Sequence, residues 1–328
     1  MSDIKPALVT PGDPSGIGPE ITLRAWVQGK KDIVIMGNTE HLSAVAHASG
    51  LEIEFLPFDE EVSKTDACCR VMEVDWPVYP QPGKPAAQNA PLIIDAIEQA
   101  VRQVKDGQFS AVVTNPISKS VLYEQGFTFP GHTEFLAALD GPNSFPVMML
   151  ANAELRVVPL TVHIPLSAVE TVVTPELFTQ TIHHLEAGLY RYFRCAAPRI
   201  SIAGLNPHAG EDGHIGRFET DILSELIAAT ETQKAILSGP YSADSLFHKE
   251  RRQAYDAVLC MYHDQALIPV KTIDFHHTVN VTLGLSFIRT SPDHGTAFDR
   301  AATYNSSPDS LISAIQMART MAECAQNG

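Results

Sequence analysis

Short apolar runs that stop abruptly in polar chemistry, separated by stretches of helical periodicity, recur along this chain and confine it to one architecture. Residues 7–10, 33–36, 109–114, 156–162, 199–205 and 257–262 each read as a buried strand. Between them Ile93, Ile97, Val101 and Val104 repeat at helical spacing, as do Phe178, Ile182, Leu185 and Leu189; Leu311 and Ile315 with Ala318 or Ala322 do so near the end. Thr174-Pro175 gives an N-cap hydroxyl followed by proline, a good helix start, and Ser307-Pro308 starts the final helix. Strands alternating with helices give a largely parallel sheet. Residues 51–83 are irregular and proline-bearing, with Asp59, Glu60 and Glu61 exposed, and receive no function.

Chemistry gathers where the strands end. His263 closes the run 257–262, and in open α/β sheets ligands collect outside the carboxyl ends of strands. Lys271, Asn280 and Arg289 follow it and complete what reads as a ligand-binding wall. His163 closes 156–162 and His208 follows 199–207, each placed as His263 is. Neutral imidazole is the commonest protein ligand for zinc and other divalent transition metals, so the three together read as a metal site; the bland alternative is three unrelated turn residues. His183 and His184 fall off their helix's apolar stripe and read as solvated. Asp264 either orients an imidazole or accepts a proton through water, and both roles stay open.

The segment GDPSGIGPE at residues 12–20 is a glycine-rich turn opening a helix near Pro19. Its order is G-x-x-x-G-x-G, not the dinucleotide G-x-G-x-x-G. Backbone N–H groups at Gly12, Gly16 and Gly18, with the helix N-terminus behind them, suit an anion, or else form only a tight strand-to-helix turn. Asn115 to Lys119 is polar chemistry at another strand exit, and Gly131-His132-Thr133-Glu134 places an imidazole beside a hydroxyl, with Thr133 as the expected N-cap.

A length of 328 residues with 45% hydrophobic content allows one large or two medium domains. The net charge of −15 argues against a nucleic-acid partner. A phosphorylated substrate would need a locally positive pocket on an acidic body. Five cysteines, odd in number and without metal-ligand spacing, suit a reducing compartment. No basic-then-apolar segment precedes residue 7 and no apolar run approaches the ~18 residues that cross a bilayer, so the expected place is the cytoplasm, away from membranes.

GDPSGIGPE, PGHTEF at 130–135, LNPHAGEDGHIG at 205–216, MYHDQ at 261–265, and VNVTLG with FIRTSPDHGTA within 279–297 together resemble the 4-hydroxythreonine-4-phosphate dehydrogenase family of pyridoxal phosphate biosynthesis, related in fold to the isocitrate and isopropylmalate dehydrogenases. The resemblance implies two α/β/α domains around a cleft, with no G-x-G-x-x-G Rossmann domain: a cofactor-side domain of residues 1–125 plus 265–328, and a substrate, metal and dimerisation domain of 126–264. It implies a metal on His163, His208 and His263, substrate contacts from His132, Thr133, Lys271, Asn280 and Arg289, and catalytic roles among Asp244, Asp264 and Lys271. Asp293 to Ala297 resembles the loop that holds the adenosine half of the cofactor in isopropylmalate-type enzymes, so NAD or NADP is expected on His294, Gly295, Thr296 and the glycine turn. One divalent ion (zinc, magnesium, cobalt or manganese) and a homodimer with shared active sites complete the expectation, with His163 crossing from one subunit to His208 and His263 of the other. The implied reaction oxidises and decarboxylates 4-phosphooxy-L-threonine to 3-amino-2-oxopropyl phosphate. Its rivals are a sugar-acid 4-phosphate dehydrogenase on the same scaffold, a three-histidine zinc hydrolase, and an acyl-phosphate transferase suggested by fold alone. Two departures from the family pattern are His277-Thr278 before Asn280 and Ser286 where proline is usual.

Overall fold

The computed structural model describes residues 4–59 and 68–326, so Glu60 and Glu61 lie outside the described residues. Its strands are β1 (Ala7–Thr10), β2 (Ile33–Gly37), β3 (Phe55–Pro57), β4 (Cys69–Glu73), β5 (Val112–Thr114), β6 (Val147–Ala151), β7 (Arg156–Thr161), β8 (Arg199–Ala203), β9 (Ile236–Tyr241), β10 (Ala257–Tyr262), β11 (Val279–Leu283) and β12 (Arg289–Pro292). The chain divides into two units, Met1–Ser144 with Leu285–Glu323, and Phe145–Gly284 with Cys324–Gly328.

In the first unit the strands run β3-β4-β2-β1-β5-β12, every neighbouring pair parallel. The stripe Ile93, Ile97, Val101 and Val104 of the helix Ala90–Lys105 packs on Leu8, Val34, Met36 and Val112, each fully buried side chain contributing about 1.5–3 kcal/mol. The helix His132–Asp140 joins this same core through Phe135 and Leu136. Residues 51–83, read as irregular, contain β3 and β4; strands of three and five residues are too short to show a period.

In the second unit the order is β11-β6-β7-β10-β8-β9. Here β6 is antiparallel to both neighbours while β7, β10, β8 and β9 run parallel, so the sheet is mixed. The helix Pro175–Phe193 begins as expected, with Thr174 Oγ1 accepting the Leu177 N–H at 3.2 Å, and buries Phe178, Ile182, Leu185 and Leu189. His183 is exposed, whereas His184 is only half-exposed and stacks on Phe145 at 5.4 Å. Among the described residues no helix is long and apolar enough to cross a membrane.

Ser286, the serine where a proline was expected, has a structural reason. Its N–H donates to Asp140 at 2.8 Å and its hydroxyl donates to the same carboxylate, which Ser144 and Lys105 also engage. Burial pushes the Asp140 carboxyl up, but these hydrogen bonds and the lysine outweigh it and hold the group below its ordinary range. Proline has no N–H to give. Ser286→Pro should therefore cost about 1–3 kcal/mol at neutral pH by denaturant unfolding. A folded-state pKa below the unfolded one gives stability that is present at neutral pH and lost as pH falls through the folded value, so the gap from wild type should narrow in acid. An unchanged midpoint would show that the Asp140 contacts contribute nothing.

Candidate active site

The second unit carries the histidines. β10 lies between β7 and β8, and its register sets Tyr262 beside Thr161, so the exits of β10 and β7 lie side by side. His263 opens the helix His263–Ile273, and its ring centroid is 5.8 Å from that of His163, tilted by 37°. With metal–nitrogen bonds of about 2.0–2.1 Å, rings so spaced can share one ion. Asp264 Oδ1 is 2.7 Å from His263 Nδ1, which favours the proton on that nitrogen and leaves Nε2 as the ligating atom.

His208 is held differently. It stands in a turn where His208, Ala209, Gly210, Glu211 and Asp212 have φ of 51°, 50°, 81°, 45° and 51°, all left-handed and four of them non-glycine. Such backbone persists only where its surroundings hold it. Glu219, 2% exposed, accepts from the Asn206 N–H at 2.7 Å and from Asn206 Nδ2 at 3.1 Å. Gln265 then ties the exits of β8 and β10 together, donating to the Gly204 carbonyl at 2.7 Å and accepting the Met261 N–H at 2.7 Å. Asp244 lies exposed beyond β9, its carboxyl held below the ordinary range by the Ser242 hydroxyl and, more weakly, by His208. Among the described residues no three His, Cys, Asp or Glu side chains are grouped to hold an ion. Within one chain, then, it is the His163 and His263 rings that stand together, where the expectation had placed His163 opposite His263 across two subunits. His163 comes two residues after β7, whereas His208 follows β8 by five and is drawn into the left-handed turn.

Further along, Lys271 Nζ lies 5.6 Å from the Phe275 ring centroid. Asn280 stands in β11 with its Oδ1 buried and without a hydrogen-bond partner. The departure at Thr278 also has a reason: fully buried, its hydroxyl donates to the Asp274 carbonyl and accepts from Asn152 Nδ2 at 3.3 Å, fixing the chain just before Asn280.

The first unit carries a buried arginine and the glycine turn. Arg289, 3% exposed, donates from Nε and Nη2 to Thr114 Oγ1 at 3.2 and 2.8 Å, and burial, opposed by Glu134, brings its pKa down to about 10. His132 Nε2 is buried without a partner, and burial, then Arg289 and Lys119, hold the imidazole neutral. The helix of these residues starts at His132 with Gly131 as N-cap, so Thr133 is not the cap and lies inside the first turn. At the glycine turn, Gly12 and Gly18 lie against Asn115, and a Cβ on Gly16 would meet the Thr296 carbonyl at 2.7 Å. The Ile17 N–H donates to that carbonyl at 3.0 Å, bringing the turn and the 293–297 loop together. Thr296 thus faces Gly16, His294 is half-buried, and Gly295 borders open space. The glycines admit the chain's own backbone, a use that sequence alone did not distinguish from ligand approach. Asp13 Oδ2, Ser15 Oγ and Asn115 Oδ1 are buried there without partners, a donor-seeking set that fits ribose hydroxyls or a carboxamide. Burial raises Asp13 to about 6.

Lys119, Glu134, Asn115, Glu219 and Gln265 were not assigned roles from the sequence. Each lies inside or beside a motif already noted, and only the fold shows which side chain each one meets.

An α/β chain with imidazoles at parallel strand exits and a buried arginine pocket has the build of a small-molecule enzyme. Residues 29–318 match the family described as pyridoxal phosphate biosynthetic protein PdxA, and the chain belongs to that family. A relative from Maricaulis maris named 4-hydroxythreonine-4-phosphate dehydrogenase is 46% identical over 99% of both chains. The crystal structure of an enzyme of that name from Klebsiella pneumoniae superposes with a TM-score of 0.88 at 34% identity, covering 97% of this chain and 99% of the other. A terephthalate 1,2-cis-dihydrodiol dehydrogenase from Burkholderia xenovorans gives 0.67 at 26% identity, covering 97% and 98%.

Two outcomes follow from the buried acids. Glu219→Ala leaves the Asn206 N–H without its acceptor and should cost about 2–4 kcal/mol in denaturant unfolding; a loss below experimental error would show that the His208 turn holds itself. Asp13 is the opposite case. With a folded pKa near 6 against 3.8 unfolded, the native state binds the extra proton between those values, so stability falls as pH rises through that window. Asp13→Asn should then stabilise the protein by up to about 3 kcal/mol at about pH 8 and by little at about pH 4. Equal shifts at both pH values would contradict the buried-charge assignment.

Proposed function

We propose that this chain is a metal-dependent, nicotinamide-linked dehydrogenase that oxidises 4-phosphooxy-L-threonine at C3 and then decarboxylates the keto acid to 3-amino-2-oxopropyl phosphate, in the cytoplasm. The observation that carries the reading is the His163–His263 pair at the exits of adjacent parallel strands, in a chain whose full-length relatives bear that enzyme's name. The imidazoles fit a divalent ion, which would lower the pKa of a bound hydroxyl and stabilise negative charge on oxygen.

The protein's own groups supply the rest. Asp264 sets the tautomer of His263, and Asp244 stands ready beside His208 as a charge partner or proton acceptor. Arg289, braced by Thr114, and neutral His132 with Thr133 bind the substrate's anionic and hydroxyl groups, while Lys271 and Asn280 complete recognition. In the oxidation a hydride leaves C3 for the nicotinamide and the hydroxyl proton leaves to a base; in the second step the carboxylate departs as carbon dioxide, its bonding pair passes into the enolate, and a proton is added at C2. NAD or NADP is assigned to the glycine turn and the 294–296 loop, where the partnerless polar atoms of Asp13, Ser15 and Asn115 lie.

Two imidazoles are one fewer than the smallest protein set at a catalytic zinc. His208 of a second copy supplies the third in a two-fold homodimer with shared sites. The arrangement is tested by refolding variants in pairs. His163→Ala mixed with His208→Ala should recover about a quarter of wild-type activity, since half the dimers are mixed and each has one intact site. His163→Ala mixed with His263→Ala should recover none, because those ligands come from one chain. Recovery in the second mixture alone would sink the assignment. Reduced-nicotinamide absorbance with threonine and sugar-acid 4-phosphates ranks the substrates, and turnover without nucleotide would identify a hydrolase instead.

A further inference from the structure

We propose that Lys119 is a ligand of the substrate's phosphate, the second cation of an anion pocket whose first is Arg289; this deepens, and rests on, the reaction proposed above. Lys119 follows β5 by five residues, the strand whose last residue, Thr114, braces Arg289. Its Nζ lies 3.6 Å from where a Cβ on Gly131 would stand, and Glu134 Oε2 lies 3.4 Å from the same point. The two side chains therefore flank the residue just before His132, whose buried Nε2 has no partner.

Charge decides what Lys119 is for. Of the first unit's groups gathered here, Arg289 is cationic, Glu134 anionic and His132 neutral, so these three sum to zero and Lys119 brings them to +1. A phosphate ester carries about −1.5 to −2 at neutral pH, and on a body of −15 each cation added beside Arg289 favours its entry. The two cations divide the work. Arg289 is buried and braced, so its planar fork fixes orientation; Lys119 is exposed, with three rotatable donors that follow the phosphate as it docks.

The test pairs binding with kinetics. Inorganic phosphate should raise the melting temperature of the wild-type protein, Lys119→Ala should lose most of that rise, and Lys119→Arg should keep it. In steady state Lys119→Ala should raise KM for the phosphorylated substrate about 10- to 100-fold, with kcat changed only a few-fold and KM for the nicotinamide cofactor unchanged. Threonine, which offers the carboxylate without the phosphate, should inhibit wild type and Lys119→Ala equally. Unchanged phosphate stabilisation in Lys119→Ala overturns the proposal, as does a loss of threonine inhibition in its place, which would put Lys119 on the carboxylate. If wild type fails to turn over the phosphorylated substrate, the reaction is wrong, and the phosphate melting series still decides Lys119.

Discussion

Parallel pairing of β10 with β7 on one side and β8 on the other is the constraint on which the histidine chemistry depends. Parallel strands release their chains at the same edge, so residues about 50 and 100 positions apart arrive together without any sequence contact between them. The register then sorts them. His163 leaves β7 almost at once and meets His263 ring to ring, whereas the β8 chain runs on four more residues and then enters a left-handed turn that His208 opens. Gln265 fastens that edge with a side-chain amide that serves a carbonyl after β8 and an N–H within β10. A buried amide satisfied at both ends is a stiff link, because letting go of either partner leaves a desolvated polar group.

The first unit meets the same problem with charge. Arg289 is taken almost wholly out of water, braced on Thr114, with the charge of Glu134 offsetting part of the burial. His132 is kept neutral next to it, able to hydrogen-bond without adding a competing charge. Asp13, pushed up to about 6 by burial, lies with Ser15 and Asn115 among oxygens that lack protein partners. A polar group left unsatisfied inside a fold costs stability, so each of these oxygens calls for a donor.

Much of this was legible in the chain. The apolar stripe Ile93, Ile97, Val101 and Val104 became the buried face of its helix, and Thr174 became an N-cap, because periodicity and capping are local properties. The short strands β3 and β4, the antiparallel β6, and the N-cap at Gly131 in place of Thr133 were not readable, since a few residues carry no period and pairing direction is not a local property. Ser286 and Thr278 looked like departures from a pattern until Asp140 and Asp274 showed what their polar groups bind.

By itself the sequence determined an α/β chain, histidines at strand ends, and motifs dense enough to place it among its relatives, because each of these rests on residue type and short-range order. Tertiary structure decided which histidines meet, which arginine is buried, whose backbone occupies the space at Gly16, and that Lys119 and Glu134 stand beside His132. Those are consequences of register and packing between segments far apart in the chain, where a shift of one residue turns a side chain to the other face of a sheet.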